Sequence, residues 1–306
     1  MIYTLTANPA IDMNISCDGL KKNAVTRTRD AVYTPNGKGL NVSFTLKHYG
    51  VDSTILGFFA GFTGAYIIDG ARERGCQVKP ILIDGITRVN VFLNDGDDEY
   101  TMPNAGASVT DSDQRNMYKL IDTLDDLDVL IISGSLPPHT NSDFLDQIID
   151  RVVKRGAQFI LDISSPQLVR LARKKPFLIK PNDDELKSIF GLTITDEKSV
   201  IHAMQQLHTF GFQNVLLTLG SKGAYFSDAT HIWYATPLHV KILSSACAGD
   251  ATLASFLSVW YSNPDRVEDA LKLAMATGAN VVESAGLGDF SHVDIYKEQV
   301  KVSLVK

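Results

Sequence analysis

Short apolar runs of three to five residues recur along the chain and constrain its fold more than any other feature. They occupy residues 55–59, 129–132, 159–161, 177–179 and 215–219. Runs of this length suit strands that are buried on both faces of a sheet. Between the runs, apolar residues recur at helical spacing, for example across residues 144–152 and 253–260. This alternation predicts an α/β fold with a mainly parallel central sheet and helices on both of its faces.

Two regions, about 12–34 and 86–104, break the alternation. In the second region, apolar residues occupy every other position across residues 88–93, and Asp95-Gly96 supplies a hairpin turn. These regions predict a small antiparallel β appendage, here called the lid, that is inserted into the main fold. The whole chain, residues 1–306, is therefore predicted to form a single domain with a lid.

Composition and charge narrow the classes of function. The chain has 306 residues, and 29 Lys and Arg against 35 Asp and Glu give a formal net charge of -6. That balance does not suit a nucleic-acid binder, which needs clustered cations. No apolar run approaches the ~20 residues that cross a bilayer, and the three cysteines are scattered without a CxxC pair. We expect a cytoplasmic protein that binds neither nucleic acid nor a membrane.

The segment 244–250 is the most informative part of the sequence. Its small residues lead into a predicted amphipathic helix that begins near Ala251. Backbone N–H groups at such a helix start, together with the helix dipole, can hold a phosphate group. Asp250 would then lie beside the phosphate, where its carboxylate could accept the proton of an attacking hydroxyl. The alternative is that Asp250 is only the N-cap of the helix.

Three other groups of polar residues could bind ligands. Lys38 stands between two glycines and could reach an anion, although a plain turn explains the same pattern. Arg88 and Asn90 share one face of a predicted lid strand and could point together at a polar ligand, or could simply be exposed. Asn182 and Glu185 share one face of a predicted helix and offer the oxygen ligands that suit Mg²⁺, often through water. A capped helix with an acidic first turn is the alternative.

Taken together and in order, these segments resemble the ribokinase and phosphofructokinase-B family of carbohydrate kinases over essentially the whole chain. Residues 6–12 are similar to the opening of its 1-phosphofructokinase and tagatose-6-phosphate kinase branch, and residues 36–41 resemble the Gly-Gly-Lys-Gly-x-Asn signature of that branch. The remaining similar segments are an Arg-x-Asn pair at 88–90, a sugar-phosphate kinase turn at 133–137, an Asn-x-x-Glu element at 182–185, an ATP-binding turn at 218–223, and the catalytic Ala-Gly-Asp at 248–250.

The resemblance implies a ribokinase-like three-layer α/β/α fold with a β lid, and it implies roles for individual residues. The implied catalytic residues are the base Asp250 and the anion-hole residues Cys247, Ala248 and Gly249. The implied sugar-phosphate ligands, with Lys38 and Arg88 on the phosphate, are Asp12, Asn36, Gly37, Lys38, Gly39, Asn41, Arg88, Asn90 and Ser135. The implied ATP ligands are Lys180, Asn182, Thr218, Gly220, Ser221, Gly223 and Asn280. Glu185 would hold Mg²⁺ through water.

The implied reaction is transfer of the γ-phosphoryl group of ATP to a hydroxyl of a ketohexose phosphate. Fructose 1-phosphate, giving fructose 1,6-bisphosphate, is the leading acceptor, and tagatose 6-phosphate is the alternative. A kinase of nucleosides or unphosphorylated sugars is a further alternative, which predicts an acceptor site without cations. In this family the lid commonly mediates dimers, so we also expect a homodimer through the lid.

Three departures from the family signatures bear on these expectations. Asn36 and Cys247 each stand where the signature has a glycine. A positive φ at either position would make the substitution costly, and Asn tolerates such a backbone better than Cys. The acidic residue that often follows the second lid strand is also missing from residues 100–106. The replaced glycines at Asn36 and Cys247 motivate one more alternative, a non-catalytic sensor that binds a sugar phosphate on the same fold.

Overall fold

The computed structural model describes residues 1–96, 98–284 and 286–306. In this part of the chain the strands are β1 (Ile2–Thr6), β2 (Ala10–Ser16), β3 (Arg29–Asn36), β4 (Ser53–Ala60), β5 (Gln77–Ile83), β6 (Arg88–Asn94), β7 (Glu99–Met102), β8 (Val129–Ser133), β9 (Gln158–Asp162), β10 (Leu178–Ile179), β11 (Asn214–Thr218), β12 (Ala224–Ser227), β13 (Ile232–Ala235) and β14 (Val302–Leu304). The helices are α1 (Lys38–His48), α2 (Gly61–Glu73), α3 (Asp111–Asp122), α4 (Phe144–Lys154), α5 (Gln167–Leu171), α6 (Asp183–Phe190), α7 (Glu197–Phe210), α8 (Ala248–Trp260), α9 (Val267–Val282) and α10 (Val293–Lys297). Two short 3₁₀ turns cover Ala172–Lys174 and Gly220–Lys222.

One large sheet carries the fold. Its strand order is β14-β13-β12-β11-β10-β9-β8-β1-β4-β5, and the pairings from β5 to β11 are all parallel. The edge formed by β12, β13 and β14 is antiparallel. The five apolar runs lie in β4, β8, β9, β10 and β11, so the predicted mainly parallel sheet is confirmed.

Helices cover both faces of the sheet because successive strand residues point to opposite sides. In β8, Leu130 and Ile132 pack into a core with α3, α4 and α7, whereas Val129 and Ile131 pack into a second core with α1, α8 and α9. All four side chains are buried. The predicted three-layer α/β/α arrangement is therefore confirmed, and the parallel strands are apolar throughout because both of their faces are covered.

The lid is a second sheet of four strands in the order β3-β2-β6-β7. Its outer pairings are antiparallel as predicted, whereas β2 and β6 pair in parallel. The register of that parallel pair sets Asp12 beside Asn90 and Ala10 beside Arg88. Because β2 begins four residues after β1 ends, the polar end of the lid is held next to the carboxyl ends of the main strands.

Local sequence explains where the helices near the site begin and end. Asn182 caps α6 by accepting from the backbone N–H of Glu185, and Glu185 in turn accepts from the N–H of Asn182. Such a reciprocal cap contributes about 1 kcal/mol to helix stability. Gly191 ends α6 in the left-handed conformation. No helix in the described part of the chain has the length and apolar content to cross a membrane.

Candidate active site

Two cavities lie along the carboxyl ends of the parallel strands. The larger has a volume of about 710 Å³ and is lined by residues after β10 and β11 and by the start of α8. The smaller has a volume of about 460 Å³ and is lined by residues after β1 and β8, where the chain order of the sheet reverses. Open α/β sheets bind ligands at such a reversal. Among the described lining residues, Lys38 alone belongs to both cavities.

The start of α8 borders the larger cavity. The first intrahelical bond of α8 runs from Ala251 N to Cys247 O, so the backbone N–H groups of residues 248–250 precede the helical ladder. Cys247 is the N-cap, and Asp250 is the third residue of the helix. The alternative that Asp250 is only an N-cap is therefore wrong.

Asp250 has the environment of a general base. Its side chain is 5% exposed, and Asn41 Nδ2 donates to its Oδ2 at 2.9 Å. Burial, and next the negative charge of Asp162, raise the pKa of Asp250 to about 7, although Lys38, Asn41 and Lys180 act in the opposite direction. A carboxylate with such a pKa can accept a proton near neutral pH and release it again.

An amide chain joins Asp250 to the lid. Asn41, which bonds Asp250, also donates to Asn36 Oδ1 at 2.9 Å. Asn36 Nδ2 donates in turn to Asp12 Oδ2, and Asn90 Nδ2 donates to Asp12 Oδ1 at 2.9 Å. Burial raises the pKa of Asp12, whereas these two amide bonds lower it. Asn36 and Asn41 line the larger cavity, while Asp12 and Asn90 lie behind Asn36 and line neither cavity.

The two departures from glycine differ in their backbone. Cys247 has φ +64°, in the left-handed region, whereas Asn36 is not among the residues with positive φ. The left-handed backbone therefore costs free energy at Cys247 that glycine would avoid, whereas Asn36 carries no such cost. The two side chains approach each other, because Asn36 Nδ2 lies 3.7 Å from Cys247 Sγ. Burial, followed by the charges of Asp250 and Asp12, raises the pKa of the thiol to about 12, so it stays protonated.

The glycines on either side of Lys38 have a packing role. A Cβ on Gly37 would lie 2.5 Å from the side chain of Thr6, and a Cβ on Gly39 would lie 2.4 Å from it. Gly37 also has φ +147°. These glycines let the start of α1 pack against the end of β1, and this close approach sets Lys38 between the two cavities.

The larger cavity gathers most of the predicted ATP ligands. Its wall includes Lys180, Asn182, Thr218, Gly220, Ser221 and Gly223. Apolar side chains that the sequence did not single out complete the wall, namely Leu238, Val240, Ile242, Met275 and Val282. Asn280 is an exception to the prediction, because it is buried outside the lining and its Oδ1 accepts from His292 N at 2.7 Å. Here Asn280 supports the turn before α10 instead of facing the cavity.

The smaller cavity is cationic. Lys38, Arg88 and the predicted Ser135 line it, and none of the lining residues that the structure describes is a carboxylate. Arg88 is held by the backbone oxygens of Asn8 and Asn104, at 2.9 and 3.1 Å. Further lining residues that sequence reasoning missed are Thr6, Asn8, Ser133 and Gln167.

Asp162 is a buried charged residue beside both cavities that sequence reasoning missed. It is the last residue of β9 and is 1% exposed. Its Oδ1 lies 3.3 Å from Lys180 Nζ and 3.6 Å from Lys38 Nζ. It directly follows the apolar run 159–161, and the position after each buried strand is where ligand-binding residues collect. That signal was available in the sequence.

Glu185 is the predicted magnesium ligand, and its surroundings fit that role. It lines the larger cavity, and Ser164 Oγ donates to its Oε1. No cluster of three or more His, Cys, Asp or Glu side chains suited to a metal occurs in the residues that the structure describes. A single carboxylate still suits Mg²⁺, which keeps several waters and completes its ligands from substrate phosphates.

Comparison with known proteins agrees with this geometry. The profile of the pfkB family carbohydrate kinases, enzymes that use ATP, matches residues 6–293. Over 302 residues, 99% of each chain, the protein is 45% identical to a D-tagatose-1-phosphate kinase of Klebsiella oxytoca. It is 31% identical over 303 residues, again 99% of each chain, to a 1-phosphofructokinase of Bacillus subtilis.

A solved structure supports the fold independently. The crystal structure of phosphofructokinase-2 from Escherichia coli in complex with substrates and products superposes with a TM-score of 0.87, at 24% identity, over 97% of this chain and 99% of that one. The ribokinase-like architecture predicted from the sequence is thereby confirmed. The chain belongs to the pfkB family of carbohydrate kinases.

Proposed function

We propose that this protein transfers the γ-phosphoryl group of ATP to the C6 hydroxyl of a ketohexose 1-phosphate. The smaller cavity carries the proposal, because Lys38 and Arg88 supply two cations that an unphosphorylated acceptor would not need. Several buried polar atoms of its lining residues also lack a protein partner: Thr6 Oγ1, Ser133 Oγ, Arg88 Nε and Gln167 Oε1. A phosphate group and sugar hydroxyls would supply those partners.

The larger cavity supports the transfer step. The acceptor hydroxyl oxygen bonds to the γ-phosphorus, the bond from that phosphorus to the bridging oxygen of ADP breaks, and the hydroxyl proton passes to Asp250. The N–H groups at the start of α8 and the ammonium groups of Lys38 and Lys180 stabilise the charge on the moving group. Bound Mg²⁺ supplies further positive charge to the ATP phosphates, and Glu185 is the residue that would hold it through water.

The names of the relatives favour a 1-phosphate over the alternative acceptor tagatose 6-phosphate. The relative at 45% identity is a D-tagatose-1-phosphate kinase, so we rank tagatose 1-phosphate ahead of fructose 1-phosphate, the leading acceptor predicted from the sequence. These two sugars differ only in the configuration at C4. The side chains beside Asp250 that offer hydrogen bonds to sugar hydroxyls are Asn36 and Asn41, with Asp12 behind them.

The test is formation of ADP from MgATP by the purified protein with matched acceptors. Tagatose 1-phosphate, fructose 1-phosphate, tagatose 6-phosphate, fructose 6-phosphate and free tagatose are compared by kcat/KM. We expect the two 1-phosphates to exceed free tagatose by at least ~10²-fold, because each charge-assisted contact to the phosphate contributes about 1.5–3 kcal/mol. Equal use of phosphorylated and free sugar would contradict the assignment of the smaller cavity.

The same assay separates the enzyme from a non-catalytic sensor, the alternative that the strained Cys247 keeps open. Saturable binding of a sugar phosphate without turnover of any acceptor would favour the sensor. The matched control is Asp250→Asn, which keeps the shape of the side chain but removes the base. We expect its turnover to fall by at least ~10²-fold.

We also propose that the protein forms a homodimer through the lid and works in the cytoplasm. The edge strand β3 supports the dimer, because Val32 and Tyr33 on it are 54% and 51% exposed. An unpaired strand edge with exposed apolar side chains favours association with another chain. Light scattering at several protein concentrations tests the dimer, and a Val32→Lys variant should shift it toward the monomer.

A further inference from the structure

Asp162 forms ion pairs with two lysines that line the cavities. It ends β9 beside Ser133 at the end of β8, and its backbone oxygen accepts from Gly134 N at 3.1 Å. Lys180, one of its two lysine neighbours, lines the larger cavity, and Lys38 lines both cavities. One buried carboxylate therefore contacts a cation on the side of each substrate.

The two lysines that pair with Asp162 differ in how deeply they are buried. Asp162 is 1% exposed and the side chain of Lys180 is 6% exposed, whereas the side chain of Lys38 is 37% exposed. Neither carboxylate oxygen of Asp162 has a hydrogen bond of good geometry in the described structure, so the two ammonium groups are its main compensation. An isolated buried carboxylate is costly, which means that its position and those of the two lysines depend on one another.

The ammonium group of Lys180 also lies at the start of α8. A Cβ added to Gly249 would lie 3.2 Å from Lys180 Nζ. The stem of Lys38 similarly crosses Gly134, where an added Cβ would lie 3.5 Å from Lys38 Cβ. Each lysine therefore pairs with Asp162 through its ammonium group and passes close to a glycine of the site.

Charges on three different elements face Asp250. They are Lys38 on α1, Lys180 after β10, and Asp162 on β9, while Asn41 on α1 donates a hydrogen bond to Asp250. Burial raises the pKa of Asp162, yet the two lysines outweigh burial and hold it below the ordinary value, so Asp162 is ionised at neutral pH. Asp162 also raises the pKa of Lys38. The ionised Asp162 partly cancels the positive field that the lysines exert on Asp250.

We infer that Asp162 is a positioning residue of the proposed phosphotransfer reaction: its ion pairs hold Lys38 and Lys180 between the two substrates, and its negative charge balances theirs beside Asp250. This inference rests on the proposed function, because it needs Asp250 to act as the base. One buried carboxylate then aligns a cation from each cavity. The chemistry is electrostatic, and Asp162 itself touches neither reacting group.

The test is the pH dependence of kcat for Asp162→Asn with both substrates saturating. Loss of the negative charge leaves two uncompensated ammonium groups near Asp250, so the acid limb of the kcat profile should move down by about one pH unit or more. Misalignment of the lysines should lower kcat by ~10-fold or more. Both ammonium groups keep their charge, so KM for either substrate should change less than kcat.

The matched control is Asp146→Asn, which breaks an ion pair with Arg170 outside both cavities. Its acid limb should coincide with that of the wild type. An acid limb that also stays in place in Asp162→Asn, whatever the loss of kcat, would overturn the inference and leave Asp162 a purely structural residue. Failure of the proposed function is a different result, since the wild type itself would then show no turnover.

Asp162→Glu keeps the inference testable if the Asn variant does not fold. The extra methylene keeps the charge but displaces it from the two lysines. We expect an acid limb close to that of the wild type together with a kcat lowered by several-fold, about 5-fold or more. Wild-type kcat in this variant would show that the position of the carboxylate is unimportant and would overturn the inference.

Discussion

Replacing Asp250, the proposed catalytic base, with asparagine is expected to stabilise the protein while it destroys turnover. In the folded protein the pKa of Asp250 is raised from 3.8 to about 7, first of all by burial. Because the folded-state pKa lies above the unfolded-state value, the folded protein binds this proton more tightly. Ionisation of Asp250 therefore lowers the free energy of unfolding as the pH rises from about 4 to about 7. Above about pH 7 the full free-energy cost of ionising Asp250 in the folded protein is present.

The size of the effect follows from the shift. A shift of about three units corresponds to about 4 kcal/mol of stability lost at pH 8, and about 2 kcal/mol is already lost at pH 5. Asparagine is neutral at both pH values and keeps an oxygen that can accept from Asn41. We therefore expect Asp250→Asn to be more stable than the wild type by up to about 4 kcal/mol at pH 8 and by roughly half of that at pH 5.

Urea unfolding followed by circular dichroism, at pH 5 and pH 8 and at one protein concentration, measures this difference. Asp69→Asn, which removes an exposed carboxylate on α2, is the control for a general effect of net charge. If Asp250→Asn is no more stable than the wild type at pH 8, the argument that burial destabilises the ionised carboxylate of Asp250 is refuted. Equal stabilisation at both pH values would refute the titration of Asp250 in this window.

Three further outcomes are expected. Arg88→Gln should raise KM for the ketohexose phosphate by about 10-fold or more with little change in KM for ATP, and a parallel rise in both would argue against a contact to the acceptor phosphate. Cys247→Gly should be more stable than Cys247→Ala by about 1 kcal/mol, and so unfold at a higher temperature, because only glycine relieves the positive φ. The reverse order of stability would exclude strain at this residue. Glu185→Gln should keep the α6 cap but need ~10-fold more Mg²⁺ for half-maximal rate, and an unchanged Mg²⁺ titration would remove Glu185 from the metal site.

Strand and helix positions were predictable because the parallel strands are buried on both faces and therefore stand out as apolar runs. The antiparallel edge formed by β12 to β14 was not singled out. β12 is buried throughout and β13 carries the apolar run 232–235, so both resemble the parallel strands in sequence and nothing local marks their antiparallel direction, whereas the largely exposed β14 lacks such a run. The parallel pairing of β2 with β6 was also missed, since strands 72 positions apart in sequence leave no local signal of their direction.

The site was predictable where its residues lie together in sequence. Segments 36–41, 182–185, 218–223 and 247–250 each carry several site residues on one turn, and all of them contribute to the larger cavity. Asp162 was missed although it directly follows the apolar run 159–161; its pairing with Lys38 and Lys180 was not predictable, because those residues are remote in sequence and meet Asp162 only in the folded sheet. Asn280 was predicted as an ATP ligand, but its amide accepts from the backbone of His292 instead.

The shared position of Lys38 has a consequence for inhibitor design. A compound that joins a nucleotide fragment to a sugar-phosphate fragment could occupy both cavities only if its linker runs past this one side chain. Tethering would turn the second binding step into an intramolecular one, with an effective concentration in the ~mM range for a short flexible linker. Such a bivalent compound would be recognised by the smaller cationic cavity as well as by the larger cavity, and its selectivity over other ATP-using enzymes would come from the sugar-phosphate half.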